Sequence, residues 1–336
     1  MHSTIKYSII LPVRNGGLYL KDCVNSILSQ TLRDFQLQVL DNCSTDGSLE
    51  WLQSLQDDRI ELHPADRPLT IEENWGRIAK IRKNDFMTLI GHDDLLDANY
   101  LALMDQMIAD YPDASLYLTH FKYINAKGET IRRCKTMAKR LSVSEFLAFF
   151  LCNMIDSMGT GYMMRSIDYD TVGGIPFYPN LLFADFELWI NLTRKSYIAI
   201  GFDEAFSFRI HQSTTATSSD LKFHLAFKRF VEFLIELQKN AELKIVIKRY
   251  GIDFINYYTK GLAHRLLRTP IDKREGRTVL DLINECKKYA DVIVPGNKFN
   301  PYKNYSVKLA KQIDSNAITR SLFLTFRKLY PKPIYS

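Results

Sequence analysis

FMTLIGHDDLLDANY, residues 86–100, begins as a run of apolar side chains and stops at Gly91-His92-Asp93-Asp94. A short apolar run ended by two adjacent carboxylates reads as a strand that delivers both acids to the open edge of a sheet, where ligands bind in open α/β folds. Hard acids at such an edge suit Mg²⁺ or Mn²⁺, which take oxygen ligands and fill their remaining positions with water and substrate phosphates. A purely structural reading also exists, in which Asp93, Asp94 and Asp97 cap a helix that begins near Ala98.

Working back from this stretch, residues 7–11 (YSIIL) form a β-rich run ended by Pro12, and Arg14-Asn15-Gly16-Gly17 makes a turn. Leu20, Val24, Ile27 and Leu28 then fall at helical spacing. Residues 35–40 (FQLQVL) predict a second strand, closed by Asp41-Asn42-Cys43-Ser44-Thr45-Asp46-Gly47, and a helix follows from Ser48 with Leu49, Leu52 and Leu55. Residues 60–63 predict a third strand, 71–81 a helix and 86–90 the fourth strand. Such alternation is the mark of a parallel sheet with right-handed crossovers.

The chain has 336 residues, enough for one large domain with an appendage or for two domains. Cys23, Cys43, Cys134, Cys152 and Cys286 contain no CxxC pair, which argues against a zinc site and for a reducing compartment. The longest apolar run, 146–155, is interrupted by Asn153 and is too short to span a bilayer. No apolar leader follows a basic start, so a cytoplasmic protein is expected. Charge divides unevenly: residues 1–218 carry a net −6 and residues 219–336 a net +12. An acidic body with a basic extension points to an anionic partner for the extension, a membrane surface or nucleic acid.

SIILPVRNG at 8–16, SILSQT at 26–31, DNCSTDGS at 41–48 and GHDD at 91–94, in this order and spacing, resemble the family 2 glycosyltransferases. FADFELW at 183–189 is similar to that family's acidic motif after the acceptor loop, and FRIHQSTTATS at 208–218 to its basic, hydroxyl-rich segment. The resemblance covers about residues 5–218. It implies an α/β GT-A fold, a Rossmann-like, mostly parallel sheet flanked by helices. It also implies inverting transfer of a sugar from a nucleotide-diphosphate donor, most often a UDP-sugar, to an acceptor hydroxyl.

The same resemblance assigns roles. Asp41 and Ser44, with Pro12, Arg14 and Asn15, would form the pocket of the base, Asp41 accepting a bond from the uracil N–H. Asp93 would touch the ribose or sugar of the donor and Asp94 would ligate Mn²⁺ or Mg²⁺, while His211, with Arg209, Ser213, Thr214 and Thr215 around it, would reach the pyrophosphate or the metal. Asn74 matches a turn near the donor, and Arg77 is a candidate for the phosphate contact that Glu73 cannot make. Asp185 is the expected general base, with Glu187 as its rival and simple N-capping of a helix from Phe186 as its structural alternative. Between Cys134 and Pro176 the chain should build the acceptor side, with a helix over 141–150 and a strand over 158–165 in which Gly161 permits close approach.

From residue 219 the pattern turns helical and the resemblance stops, so 1–218 is expected to be the catalytic domain and 219–336 a basic helical extension. In its last part Ile318, Leu322, Phe326 and Leu329 share one side and Arg320, Arg327 and Lys328 the other. That is the pattern of a helix lying on an anionic bilayer, and also of an ordinary helix packed on its own domain. A membrane setting agrees with an acceptor glycan carried on a lipid diphosphate, as in O-antigen or capsule biosynthesis. The other readings are a nucleotidyltransferase, whose Gly-rich basic signature residues 12–17 lack, and a non-catalytic sugar-nucleotide or lipid-binding module. Nucleic-acid binding has no recognised motif here.

Overall fold

The structure, a computed structural model, describes residues 6–211 and 218–330. Ser213, Thr214 and Thr215 of the hydroxyl-rich segment lie outside the described residues. The chain forms two compact units, residues 1–146 with 155–211, and residues 147–154 with 212–336.

In the first unit, strands and helices alternate as the periodicity predicts. They are β1 (Tyr7–Val13), α1 (Gly17–Leu28), β2 (Phe35–Asp41), α2 (Ser48–Ser54), β3 (Ile60–Leu62), α3 (Ile71–Gly76) with a 3₁₀ turn over Arg77–Lys80, and β4 (Phe86–Leu89). These strands pair in parallel in the order β3-β2-β1-β4. Every residue of β1 is buried, as in strands covered by helices on both faces, which is why the strands read as continuous apolar runs. Strand β1 runs on through Pro12, contrary to the sequence expectation. The Ile10 carbonyl accepts from Ile90 N on the β4 side, and the Val13 carbonyl accepts from Asn42 N on the β2 side. Pro12 therefore faces the β4 side, where the β1–β4 ladder has already ended at Ile10 and Leu89, so its missing N–H interrupts no pairing.

The sheet continues through β5 (Leu95–Leu96), α4 (Tyr100–Asp110), β6 (Leu116–Ile124), β7 (Thr130–Arg133), β8 (Arg140–Leu141), α5 (Val143–Leu151), β9 (Tyr162–Arg165), α6 (Ser166–Thr171), α7 (Ala184–Thr193) and β10 (Ile198–Arg209). Its order extends from β4 as β9-β6-β10-β5, with β9 antiparallel between β4 and β6. Gly161 makes this entry possible: its φ is +79°, and a Cβ there would lie 2.7 Å from the Phe206 ring. The capping reading of the acid pair fails. Helix α4 has Asn99 at its N-cap with no side-chain cap bond, and Asp97 pairs with Lys122 at 3.3 Å.

The second unit is helical: α8 (Asp220–Leu237), α9 (Ala241–Arg268), α10 (Val279–Ile293), α11 (Tyr305–Asp314) and α12 (Ala317–Leu329). Ser219, Asn240, Thr278, Asn304 and Asn316 each cap the helix that follows with a side-chain oxygen, satisfying N–H groups the helix itself leaves open. Its core is aromatic, with Phe227 and Phe230 of α8 against Phe254 of α9. Arg274 and Asp314 form a buried ion pair at 2.5 Å, and Asp314 also accepts from Val279 N at 2.7 Å. Among the described residues no helix is long and apolar enough to cross a membrane.

Candidate active site

The ends of β1 and β2 meet through side chains that grip backbone. Ser44 Oγ accepts from Asn15 N at 2.9 Å and Asn15 Oδ1 from Thr45 N at 2.8 Å, while Asp46 and Ser48 accept from Gly17 and Gly16 N. Asn15 and Cys43 both sit at positive φ, 53° and 51°, a conformation rare outside glycine that this network holds in place. Asp41 is fully buried at the end of β2. One of its oxygens accepts from Ser44 N at 3.2 Å, and the other, Oδ1, has no partner among the described residues. A buried acceptor left open is costly unless something donates to it.

Two expected donor residues have other work. Asn74, buried in α3, donates to the Leu40 carbonyl at 3.2 Å and accepts from Arg77 at 3.0 Å, so both ends of its amide are used inside the protein. Arg77 also holds the carbonyls of Asp41, His63 and Pro64. It braces the end of β2 rather than standing ready for a phosphate. Glu73 completes a capping box with Thr70. Arg14 is exposed and reaches the Leu69 carbonyl at 3.4 Å, and Pro12 is buried in β1.

At the end of β4 the two acids face different surroundings. Asp94 is 2% exposed; it accepts from Thr160 Oγ1 at 2.8 Å through one oxygen and from Arg209 N at 3.0 Å through the other. Asp93, partly exposed, is hydrogen-bonded to His211 Nε2. The expected direct cation ligand, Asp94, is therefore the acid locked inward, and the acid that faces His211 is Asp93. Burial, and then the negative charge of Asp93, raise the Asp94 carboxyl well above the usual range. Burial also works upward on Asp93, but the His211 hydrogen bond and the charges of His92 and His211 outweigh it and hold Asp93 low. A carboxylate and an imidazole in contact form the oxygen and nitrogen set that Mn²⁺ accepts. Among the described residues no three His, Cys, Asp or Glu side chains gather at one point, so a cation at Asp93 and His211 would draw on donor phosphates and water for the rest. The residues fit such an ion.

Arg209, the basic neighbour of His211, turns inward rather than toward a phosphate. It is 2% exposed, donating to the carbonyls of Asp93, Asn125 and Ala126 and lying over the Tyr19 ring at 4.6 Å. Its place is to fix the turn that carries both acids.

Asp185 lies in the first turn of α7, whose N-cap position is taken by Phe183, so Asp185 is not the cap. The loop that delivers it is strained: Asn180, Leu181 and Phe183 have φ of 53°, 55° and 71°, each at a cost of about 1–3 kcal/mol. Trp189 holds α7 down, donating from Nε1 to the Met158 carbonyl at 2.9 Å and stacking on Tyr162 at 4.3 Å. Burial pushes the Asp185 carboxyl up to about 6, against bonds from its own and the Phe186 N–H. The rival, Glu187, is buried and accepts from Tyr178 OH at 2.5 Å, which occupies it inside the fold.

Thr160 is the residue that sequence reasoning missed. Gly159, beside it, lies next to Asp185, where a Cβ would make an ordinary contact 3.5 Å from Asp185 Oδ2, while Thr160 holds Asp94. Two consecutive residues thus place the partly exposed carboxylate of α7 near the acid pair of β4. Nothing local in Met158-Gly159-Thr160-Gly161 announces this, because both partners are remote in the chain.

The glycosyl transferase family 2 model matches residues 8–170. Glycosyltransferase GlyG of Streptococcus pneumoniae is 28% identical over 132 residues, 36% of this chain and 41% of GlyG. TuaG of Bacillus subtilis, assigned to teichuronic acid biosynthesis, is 24% identical over 208 residues, 59% of this chain and 75% of TuaG. The chain thus spans less than half of GlyG and three quarters of TuaG. Among solved structures, that of S. aureus TarS 1–349 in complex with UDP-GlcNAc superposes with a TM-score of 0.66 at 14% identity, over 97% of this chain and 93% of that one. That likeness is one of fold. The parallel β3-β2-β1-β4 half-sheet, the acid pair at its edge and the family match over residues 8–170 identify a glycosyltransferase family 2 domain in this part of the chain, in a GT-A fold.

Proposed function

We propose that the chain is an inverting glycosyltransferase that moves a sugar from a UDP-linked donor to a hydroxyl of a lipid-linked cell-surface glycan, using Mn²⁺ or Mg²⁺ at the cytoplasmic face of a membrane. The observation that carries this reading is the Gly159-Thr160 step, where Gly159 lies beside the partly exposed Asp185 carboxylate and Thr160 donates to Asp94 of the acid pair. Asp41 Oδ1, buried and open, supports uracil as the base, whose ring N–H would donate to it. UDP-GlcNAc in TarS and the teichuronic acid assignment of TuaG agree with a UDP-sugar and a surface polymer.

Asp93 and His211 would hold the cation, with Asp94 and Arg209 fixing the turn behind them. Bound there, the cation supplies Lewis-acid stabilisation of the charge that grows on the diphosphate leaving group. Asp185 takes the proton from the attacking hydroxyl. A carboxyl raised to about 6 is ionised at neutral pH, yet is more basic than an ordinary aspartate. Attack from the side opposite the leaving group inverts the sugar carbon.

A thermal-shift panel of UDP, GDP, dTDP and CDP, each with and without Mn²⁺, tests the donor half of this reading, since a ligand of the native state raises the melting midpoint. UDP with Mn²⁺ should raise it, and Asp93→Asn should remove the shift. No shift from any nucleotide would overturn the donor site, and a UDP shift indifferent to Mn²⁺ would remove the cation.

A further inference from the structure

Within the second unit, α8, α9, α11 and α12 surround a cavity of about 760 Å³. Its walls are aromatic and aliphatic, with Phe223, Tyr257 and Phe323 among them, and its charged side chains are all basic: Lys260, Arg265, Arg268 and Arg327, with no Asp or Glu in the lining. Arg265 stacks over the Phe223 ring at 3.7 Å, donates to the Ser218 carbonyl and has a buried Nε with no partner among the described residues. The nearby carboxylate, Asp220, is taken by Arg277 at 2.6 Å. Burial, and then the charge of Arg327, push Arg268 below its ordinary value.

The helix that supplies Phe323 and Arg327 to the cavity also carries a bare apolar stripe. Ile318, Leu322, Phe326 and Leu329 of α12 are 70%, 64%, 57% and 69% exposed, and the Phe326 ring meets Tyr330 at 4.9 Å. An arginine cluster suits phosphate, and an exposed apolar helix face beside it suits acyl chains.

We propose that this cavity receives the phosphate headgroup of an anionic membrane lipid, with Arg265, Arg268 and Arg327 around the phosphate and the α12 stripe seated in the acyl boundary. Aromatic rings at the cavity wall would meet the level of the headgroups, where such side chains are favoured. The inference gives residues to the membrane contact proposed above. It is read by binding alone, so its failure leaves the donor and base assignments standing, and their failure leaves it standing.

The test is co-sedimentation of the full chain with phosphatidylglycerol-rich and with pure phosphatidylcholine vesicles. The chain should pellet with the former only. Arg268→Ala with Arg327→Ala should weaken retention by roughly tenfold or more, as should Leu322→Ser with Phe326→Ser, whereas Lys287→Ala with Lys288→Ala, on the exposed side of α10, should change it little. Inorganic phosphate should compete poorly, since it lacks the chains. Each variant's melting midpoint is compared with the wild type, and the two independent pairs guard against one that misfolds. Equal losses in the lysine and arginine pairs would mean diffuse charge and overturn the site. Tight binding of inorganic phosphate without vesicle retention would overturn the lipid as occupant.

Discussion

Desolvation that would suit Asp185, the proposed base, to neutral pH also works against the folded state. Its carboxyl moves from 3.8 to about 6 on folding. The unfolded chain ionises first as pH rises, so the contribution of Asp185 to stability is whole below about pH 4 and lost by the time pH passes 6. Asp185→Asn should therefore abolish transfer, by about 10²–10⁴-fold if only the base is lost, while raising stability above pH 7 by about 2–3 kcal/mol over its effect in acid. Activity assays and melting curves at pH 4 and pH 8 read both. A wild-type pH profile of kcat/KM should rise toward a plateau with its bend near 6, and a bend near 4 would deny Asp185 the role. At this scale both acids were visible in FADFELW, but that the Tyr178 hydroxyl engages Glu187 was not.

Strand β9 and the residues just before it tie the site together. Thr160→Val keeps the shape of the side chain and removes the donor to Asp94, leaving a buried carboxylate oxygen short of a bond at a cost of about 1–3 kcal/mol. It should lower the denaturation midpoint and weaken Mn²⁺-dependent nucleotide binding together, with Thr160→Ser restoring both. Denaturant melts and UDP titrations measure this, and unchanged nucleotide binding would show that Asp94 does not position its neighbour. The strands and helices themselves were legible because periodicity and turn chemistry are local properties: apolar runs such as YSIIL, and the Ser, Thr and Asn caps of the later helices. What misled was also local. Pro12 looked like a strand end, and capping was the structural alternative for Asp185; neither reading survived once β4 and Phe183 were seen beside them.

Across the whole molecule, charge divides into a net −6 over residues 1–218 and a net +12 over 219–336, and salt should act on the two parts differently. Retention on anionic vesicles should fall as salt rises above about 0.15 M, where the Debye length is only about 8 Å, while UDP affinity with saturating Mn²⁺ should change far less; parallel titrations at low and high salt compare them. Sequence by itself determined the alternation of strands and helices, the delivery of Asp41, Asp93 and Asp94 to strand ends, the helical character of the basic extension and the opposite charge of its two parts. These follow from spacing, composition and turn residues along one stretch of chain. Only the tertiary structure decided that Asp93 rather than Asp94 faces His211, that Arg209 and Asn74 brace the site from within, that Thr160 holds Asp94 while Gly159 lies beside Asp185, and that arginines from two helices share one cavity. Each of those depends on which distant residues are brought into contact and which oxygen is thereby occupied, and no local pattern carries that information.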